Sequence, residues 1–316
     1  MIDITLQNLE TDLIQASMHA PVLLDIWAPW CGPCKQLGPV LEKLETAYAG
    51  RFVLAKLNSD EQPEIAGQLS QAFGVRSIPF CVMFVGGQPV DGFVGALPEA
   101  QIRAFLDKHV PSPDELAAEE EAQEAEQLAA EGDTGAALDK LSEALAMSPG
   151  DDAIRADYVK RLLDAGRVAD ARRAYEPLAP KAFVDARASA LGQCLQAWEA
   201  SAGARSPEAL AAAIAADKRD FAARFELAQR HLTGGRPTEA MDELLEILMR
   251  DKAWSEERAR KLYVAILELM SKPAVKAAAP AESKGTLEIA GAKALSVASD
   301  PVVDGYRRRL SMVLHS

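Results

Sequence analysis

The residues best suited to chemistry are Trp30-Cys31-Gly32-Pro33-Cys34-Lys35. They follow a short apolar run, Val22-Leu-Leu-Asp-Ile-Trp27, which predicts a buried strand, and they open a stretch with helical spacing. A cysteine at a helix N-terminus meets unpaired backbone N–H groups and the positive end of the helix dipole, both of which favour thiolate over thiol. Two intervening residues put the second sulfur one helical turn further on, within disulfide reach. Such a pair can run a cycle in which Cys31 attacks a disulfide, a mixed disulfide forms, and Cys34 resolves it. A zinc site would need two more ligands, and the chain has no second Cys-x-x-Cys and no suitably spaced His pair. No metal site is expected.

The other candidate groups read as structural. Cys81, on a predicted strand just after Pro79, reads as a buried inert thiol, and Cys194 reads as core packing beside Leu191, Leu195 and Trp198. Trp198 and Trp254 sit at helical spacing among apolar neighbours. His19, His109, His231 and His315 form no cluster.

Positioning the cysteine pair falls to residues 1–110, where strand and helix patterns alternate. Phe52–Leu57 predicts a second buried strand, and Phe80–Val85, Gly86-Gly87 and Pro89–Val94 predict an antiparallel hairpin across a glycine turn. Pro33–Tyr48, Pro63–Phe73 and Pro98–His109 carry helical spacing, each with proline in the first turn. The sum is a small three-layer α/β domain.

Pro111-Ser-Pro113 ends that unit, and an acidic, alanine-rich helical linker is expected over 111–124. A periodicity follows over 125–270. Gly132-Asp-Thr-Gly-Ala-Ala137 is echoed by Gly166-Arg-Val-Ala-Asp-Ala171 and Gly235-Arg-Pro-Thr-Glu-Ala240, at offsets of 34 and 69 residues. These are close to one and two steps of the tetratricopeptide period, with Ser206-Pro-Glu-Ala209 as a weaker copy between. Residues 271–299 read as a flexible insertion. Residues 300–316 read as a closing amphipathic helix with Val302, Tyr306, Leu310, Val313 and Leu314 on one stripe.

Composition narrows the function classes. With 34 basic and 47 acidic side chains the net charge is −13, which repels phosphate backbones and anionic lipid, so neither nucleic acid nor membrane is expected as a partner. The first residues lack the basic and apolar regions of a secretory signal, and four cysteines are too few for a disulfide-stapled framework. The expected location is the cytoplasm.

Residues 1–110 resemble thioredoxin along their whole length. Asp25 lies six residues before Cys31, Lys56 follows in Ala55-Lys56-Leu57, Ile78-Pro79 matches the family's cis-proline, and Gly87 and Gly95 fall at its tight turns. The resemblance implies Cys31 as nucleophile and Cys34 as the resolving cysteine. It makes Asp25 a buried base assisted by Lys56, with Pro79 presenting backbone groups to an extended substrate. Trp30, Gly32, Pro33 and Ile78 would surround the sulfur pair. The Gly-Pro dipeptide is similar to that of reducing members. No cofactor is implied beyond the Cys31–Cys34 disulfide itself.

A thioredoxin fold, an all-α tetratricopeptide-like repeat domain and a terminal Tyr306-Arg307-Arg308-Arg309-Leu310 helix together resemble the bacterial chaperedoxin family. That likeness implies a redox-active co-chaperone of the stress response. It would hold unfolding or oxidised client proteins, protect their cysteines, and pass them to the chaperonin GroEL through the C-terminal helix. Composition alone equally allows that helix to cap the last repeat. Two other readings stand beside this one. The chain could be a chaperone adaptor that works without its redox site, or a plain disulfide reductase docked to one fixed partner, with Arg155, Lys160 and Arg161 available to grip a carboxylate.

Overall fold

The computed structural model describes residues 1–271 and 300–315, so the insertion expected over 271–299 lies outside the described residues except for Ser271. The chain divides into two compact units, the first within Met1–Pro113 and the second from Asp114 onward.

The first unit is built on a five-stranded sheet. Its strands are β1 (Ile2–Asp3), β2 (Val22–Trp27), β3 (Val53–Asn58), β4 (Phe80–Val85) and β5 (Gln88–Val94), in the order β1-β3-β2-β4-β5. β1, β3 and β2 run parallel, while β4 is antiparallel to β2 and β5 to β4. Successive side chains of a strand point to opposite faces, so β2 serves two cores. Val22, Leu24 and Ile26 join Leu13, Ile65 and Leu69 on one side. Leu23 joins Leu37, Leu41 and Leu44 of α1 (Gly32–Ala47) and Ile102 and Leu106 of α3 (Glu99–Leu106) on the other. Because both faces are covered, β2 reads in sequence as an unbroken apolar run. α2 (Pro63–Phe73) completes the first layer together with a helical segment over Leu9–Gln15, wound as a π-helix. Neither that segment nor β1 was legible in the pattern. Pro98, expected inside the first turn of α3, stands just before it as the cap residue. Gly86 and Gly87 turn the β4–β5 hairpin with φ of 61° and 79°, the left-handed values a tight hairpin needs.

The second unit is helical: α4 (Pro113–Ala130), α5 (Thr134–Met147), α6 (Asp152–Asp164), α7 (Val168–Tyr175), α8 (Ala186–Ser201), α9 (Pro207–Ala216), α10 (Phe221–Thr233), α11 (Pro237–Leu248), α12 (Trp254–Met270) and α13 (Pro301–His315). The echoed glycines do one job three times. Gly132, Gly166 and Gly235 follow α4, α6 and α10 with φ of 91°, 70° and 72°. The next amide then reaches back five residues: Asp133 N to Leu128 O (2.9 Å), Arg167 N to Leu162 O (2.8 Å) and Arg236 N to His231 O (2.9 Å). This closure satisfies carbonyls that a helix end otherwise leaves open, and it turns the chain sharply into the following helix. The weaker copy works differently, with Ser206 Oγ accepting from Ala209 N at the start of α9.

Of residues 111–124, those from Pro113 on are helical and form the first turns of α4, one face of which is packed, while 111 and 112 precede the helix. Ala118 and Ala125 are buried against Ala137, Leu141 and Ile154, and Lys140 of α5 pairs with Glu121 and Glu124 at 2.7 and 2.8 Å. The acidic face is therefore partly neutralised by the neighbouring helix.

α8 packs against α6, α7, α10 and α12, and it tolerates this crowding by being small-sided. Tyr175 Oη donates to the carbonyl of Ala188 at 3.0 Å and lies where a Cβ on Gly192 would have to stand. Gly192→Ala should therefore destabilise the helical unit by about 1–3 kcal/mol. Adding Tyr175→Phe, which removes the obstructing oxygen, should return part of that loss. Urea titration followed by helical circular dichroism checks both, and a double variant no more stable than Gly192→Ala would contradict the account.

Candidate active site

Cys31 ends the loop after β2 and caps α1. Its extended backbone (φ −78°, ψ 105°) turns Sγ back over the first turn, where it accepts from Cys34 N at 3.2 Å. Gly32 leaves open space on its outer side. Pro33 sits at the helix start, where a missing N–H costs nothing because the first turn has no partner for it. Cys31 and Cys34 form a disulfide with S–S 2.02 Å and Cα–Cα 5.3 Å. Both are buried, in a small cluster with Ala28, Trp27 and Ile78.

The residues predicted around the pair are found beside it or on the same sheet. Ile78-Pro79 is a cis peptide, as the resemblance implied, and Ile78 packs on the cysteines. One expectation changes. The Pro79 carbonyl accepts from Gly95 N at 2.8 Å and its ring has no N–H, so Pro79 itself offers little to a bound strand. The amide and carbonyl of Ile78 have no partner among the described residues. Trp30 is 70% exposed, and its indole N–H donates to the Asp60 carboxylate at 3.0 Å. Asp60 was not legible as a site residue, because nothing local in its turn marks it as Trp30's partner.

Asp25 is 2% exposed and faces the α1 layer of the sheet, between Lys56 on β3 and Cys81 on β4. Burial penalises its charged form and pushes its pKa from the usual 3.8 to about 6, while Lys56 and a hydrogen bond from Cys81 pull it partly back. Lys56 is not devoted to Asp25, since its Nζ pairs with Glu42 Oε1 of α1 at 2.6 Å. Cys81 is fully buried, and burial together with the Asp25 charge holds its thiol well above the ordinary range. Cys194 is likewise buried, and its pKa is pushed up to about 12.

At the other end of the chain, α13 lies on α11 and α12 of its own unit. Leu310 is buried. Tyr263 Oη donates to the Tyr306 carbonyl (2.8 Å), Tyr306 Oη to Asp242 (3.2 Å), Arg309 to Asp242 (2.7 Å), and Arg307 to Ser271 Oγ (2.7 Å). The stripe differs from expectation by one position: Val303 is 2% exposed and Val302 47%. Seven residues separate Val303 from Leu310, two full turns, so Val303 is the residue in phase. Of the predicted docking residues, Arg307, Arg308 and Arg309 are all exposed. Of the candidate carboxylate grips, Arg155 donates to the Pro149 carbonyl and Lys160 pairs with Asp164.

Raising the Asp25 pKa on folding has a cost that depends on pH. Between pH 3.8 and about 6 the unfolded chain loses this proton before the folded one, so stability falls across that window and the penalty is complete above it. Asp25→Asn should therefore gain about 3 kcal/mol on the parent protein between pH 3.5 and pH 8, at ~1.36 kcal/mol per unit. Denaturation of both proteins at the two pH values measures this, and a gain independent of pH would refute it.

Residues 1–108 match the thioredoxin family, and residues 128–194 and 200–279 match tetratricopeptide repeat families. A thioredoxin from Chlorobaculum thiosulfatiphilum is 46% identical over 104 residues, covering 33% of this chain and 91% of that protein. Thioredoxin 1 of a Nostoc species is 46% identical over 90 residues, covering 28% and 80%. The chloroplastic thioredoxin M2 of Arabidopsis thaliana is 43% identical over 110 residues, covering 34% and 57%. With the cysteine pair joined at the head of α1, this likeness makes the chain a thiol–disulfide oxidoreductase. The chain belongs to the thioredoxin family, which its first third represents, and it carries tetratricopeptide repeats beyond.

Proposed function

We propose that this protein is a cytoplasmic redox co-chaperone, a chaperedoxin, which reduces disulfides of unfolding clients while its repeats hold them. The carrying observation is an intact Cys31–Cys34 couple in one chain with a repeat domain that has apolar surface to offer. That surface includes a hollow of about 420 Å³ lined by Leu163, Trp198, Ile266 and Met270 with Lys160 and Asp164 also on its wall, and an exposed Phe183-Val184 tip, Phe183 being 94% accessible. Isolated apolar residues are ordinary on protein surfaces, but paired ones at a loop tip suit contact with another chain.

In the reduced protein, the Cys34 amide and the start of α1 stabilise a Cys31 thiolate. The thiolate attacks one sulfur of a client disulfide and expels the other as a client thiolate. Cys34 gives its proton to the Asp25 carboxylate, and the resulting thiolate attacks Cys31 Sγ. The second client sulfur leaves as a thiolate, which takes up a proton, and the Cys31–Cys34 disulfide forms with two electrons delivered to the client. A base with a pKa of about 6 is mostly ionised at neutral pH and still basic enough to serve. The free amide and carbonyl of Ile78 would pair with an extended client strand beside Trp30. Lys56 would moderate the Asp25 charge from its ion pair with Glu42. Transfer to GroEL would use α13, whose outward residues include Arg308 and Met312.

Cys31→Ser should abolish dithiothreitol-dependent insulin reduction, by at least ~10³-fold given that the nucleophile is lost; retained activity would remove Cys31 from its assigned role. Cys34→Ser should accumulate mixed disulfides with many clients, read by diagonal electrophoresis. One stoichiometric partner instead would favour the fixed-partner reading. The double Cys31→Ser/Cys34→Ser protein should still suppress aggregation of a denatured client. Removing residues 300–316 should abolish co-purification of GroEL, and unchanged recovery would exclude α13 as its docking element.

A further inference from the structure

We propose that Cys81 is a positioning residue for the redox site: its thiol is the built-in hydrogen-bond donor that orients the Asp25 carboxylate on the α1 face of the sheet. The observation is a pairing across the sheet. Asp25 and Cys81 stand opposite each other in the antiparallel β2–β4 register, and Cys81 Sγ donates to Asp25 Oδ1 at 3.7 Å. Among the described residues, no other side chain or backbone amide donates to that carboxylate, although it is almost wholly removed from water. A carboxylate this deeply buried that has one donor is unusually sensitive to what that donor does, because no second hydrogen bond fixes its orientation.

Groups on β3, β4 and α1 face Asp25. β3 contributes Lys56, whose Nζ is shared with Glu42 of α1. β4 contributes Cys81, and α1 begins with the Cys31–Cys34 pair on the same side of the sheet. Lys56 can supply field but is committed to Glu42 by a 2.6 Å contact, so direction comes from the thiol. The thiol is fitted to this use. Its burial and its acidic neighbour keep it protonated, so it remains a donor and does not become a competing nucleophile beside the disulfide. A cysteine that is inert towards oxidants is thereby useful as a hydrogen-bond donor, which an aliphatic residue of the same size could not be.

This inference rests on the reading of Asp25 as the base only for its effect on turnover; the pairing itself can be tested without it. The experiment follows the Asp25 carboxyl carbon by ¹³C NMR over a pH titration of the full chain in the disulfide form, for the parent, Cys81→Val and Cys81→Ser. Valine keeps the apolar volume and removes the donor, while serine supplies a stronger donor. Cys81→Val should raise the Asp25 midpoint by about half a unit, and Cys81→Ser should return it to or below the parent value. The acid limb of the insulin-reduction profile should move the same way in both. An unchanged midpoint in a natively folded Cys81→Val protein overturns the proposal, and Cys81→Ala provides the same reading should valine disturb the fold. If the midpoint moves but Asp25→Asn leaves the acid limb in place, the pairing stands and only the assignment of Asp25 as base fails.

Discussion

Everything chemical in this molecule depends on one junction, where the buried strand β2 ends and α1 begins at Cys31. A strand covered on both faces cannot leave its line, and a helix packed through Leu37, Leu41 and Leu44 cannot swing. Between these two fixed bodies the loop has little freedom, so the cysteine at its end is held at the helix N-terminus. The consequences are local and electrostatic: an amide aimed at Sγ, the positive end of the dipole, and a second sulfur one turn along. The thiol chemistry follows from packing that contains no sulfur.

The same strand brings a carboxylate into the interior, against the ordinary preference for keeping charge in water. Desolvation acts most strongly on Asp25, and the opposing contributions from Lys56 and Cys81 only partly offset it. A carboxylate left in that balance titrates at about 6, and the fold gives up stability above that pH. Lys56 is held by Glu42 at the edge of the α1 layer, so its charge tempers Asp25 without quenching it. A full ion pair would have returned Asp25 towards the range of an ordinary carboxylate.

The repeat unit obeys a different constraint. Each helix pair has an open apolar face that only the next pair covers, and the turn between helices must be tight enough to lay them side by side. Left-handed glycine solves this three times with the same backward amide bond, whereas the α8–α9 connection uses a serine cap. α13 closes the array on α11 and α12 through Val303, Leu310 and the Tyr306–Asp242–Arg309 group, so much of its side-chain chemistry is spent inside its own unit.

What could be read directly from the residues was whatever repeats or is contiguous. The Cys-Gly-Pro-Cys run, the short apolar strands, the proline-led helices and the glycine echoes at their offsets all depend on neighbours along the chain, and all are present. The helical segment over Leu9–Gln15 leaves no helical signature in the sequence because a π-helix does not keep the 3.6-residue period. Residues 113–124 looked like a solvated linker because alanine buries a face without an obvious hydrophobic stripe. What only the tertiary structure decided are the partners that meet across distance: Asp60 under Trp30, Glu42 on Lys56, Cys81 on Asp25, and Val303 in place of Val302 in the α13 contact. Strand register and helix phase choose those partners. Both are set by how separate segments pack, and a shift of one residue in either would have chosen others.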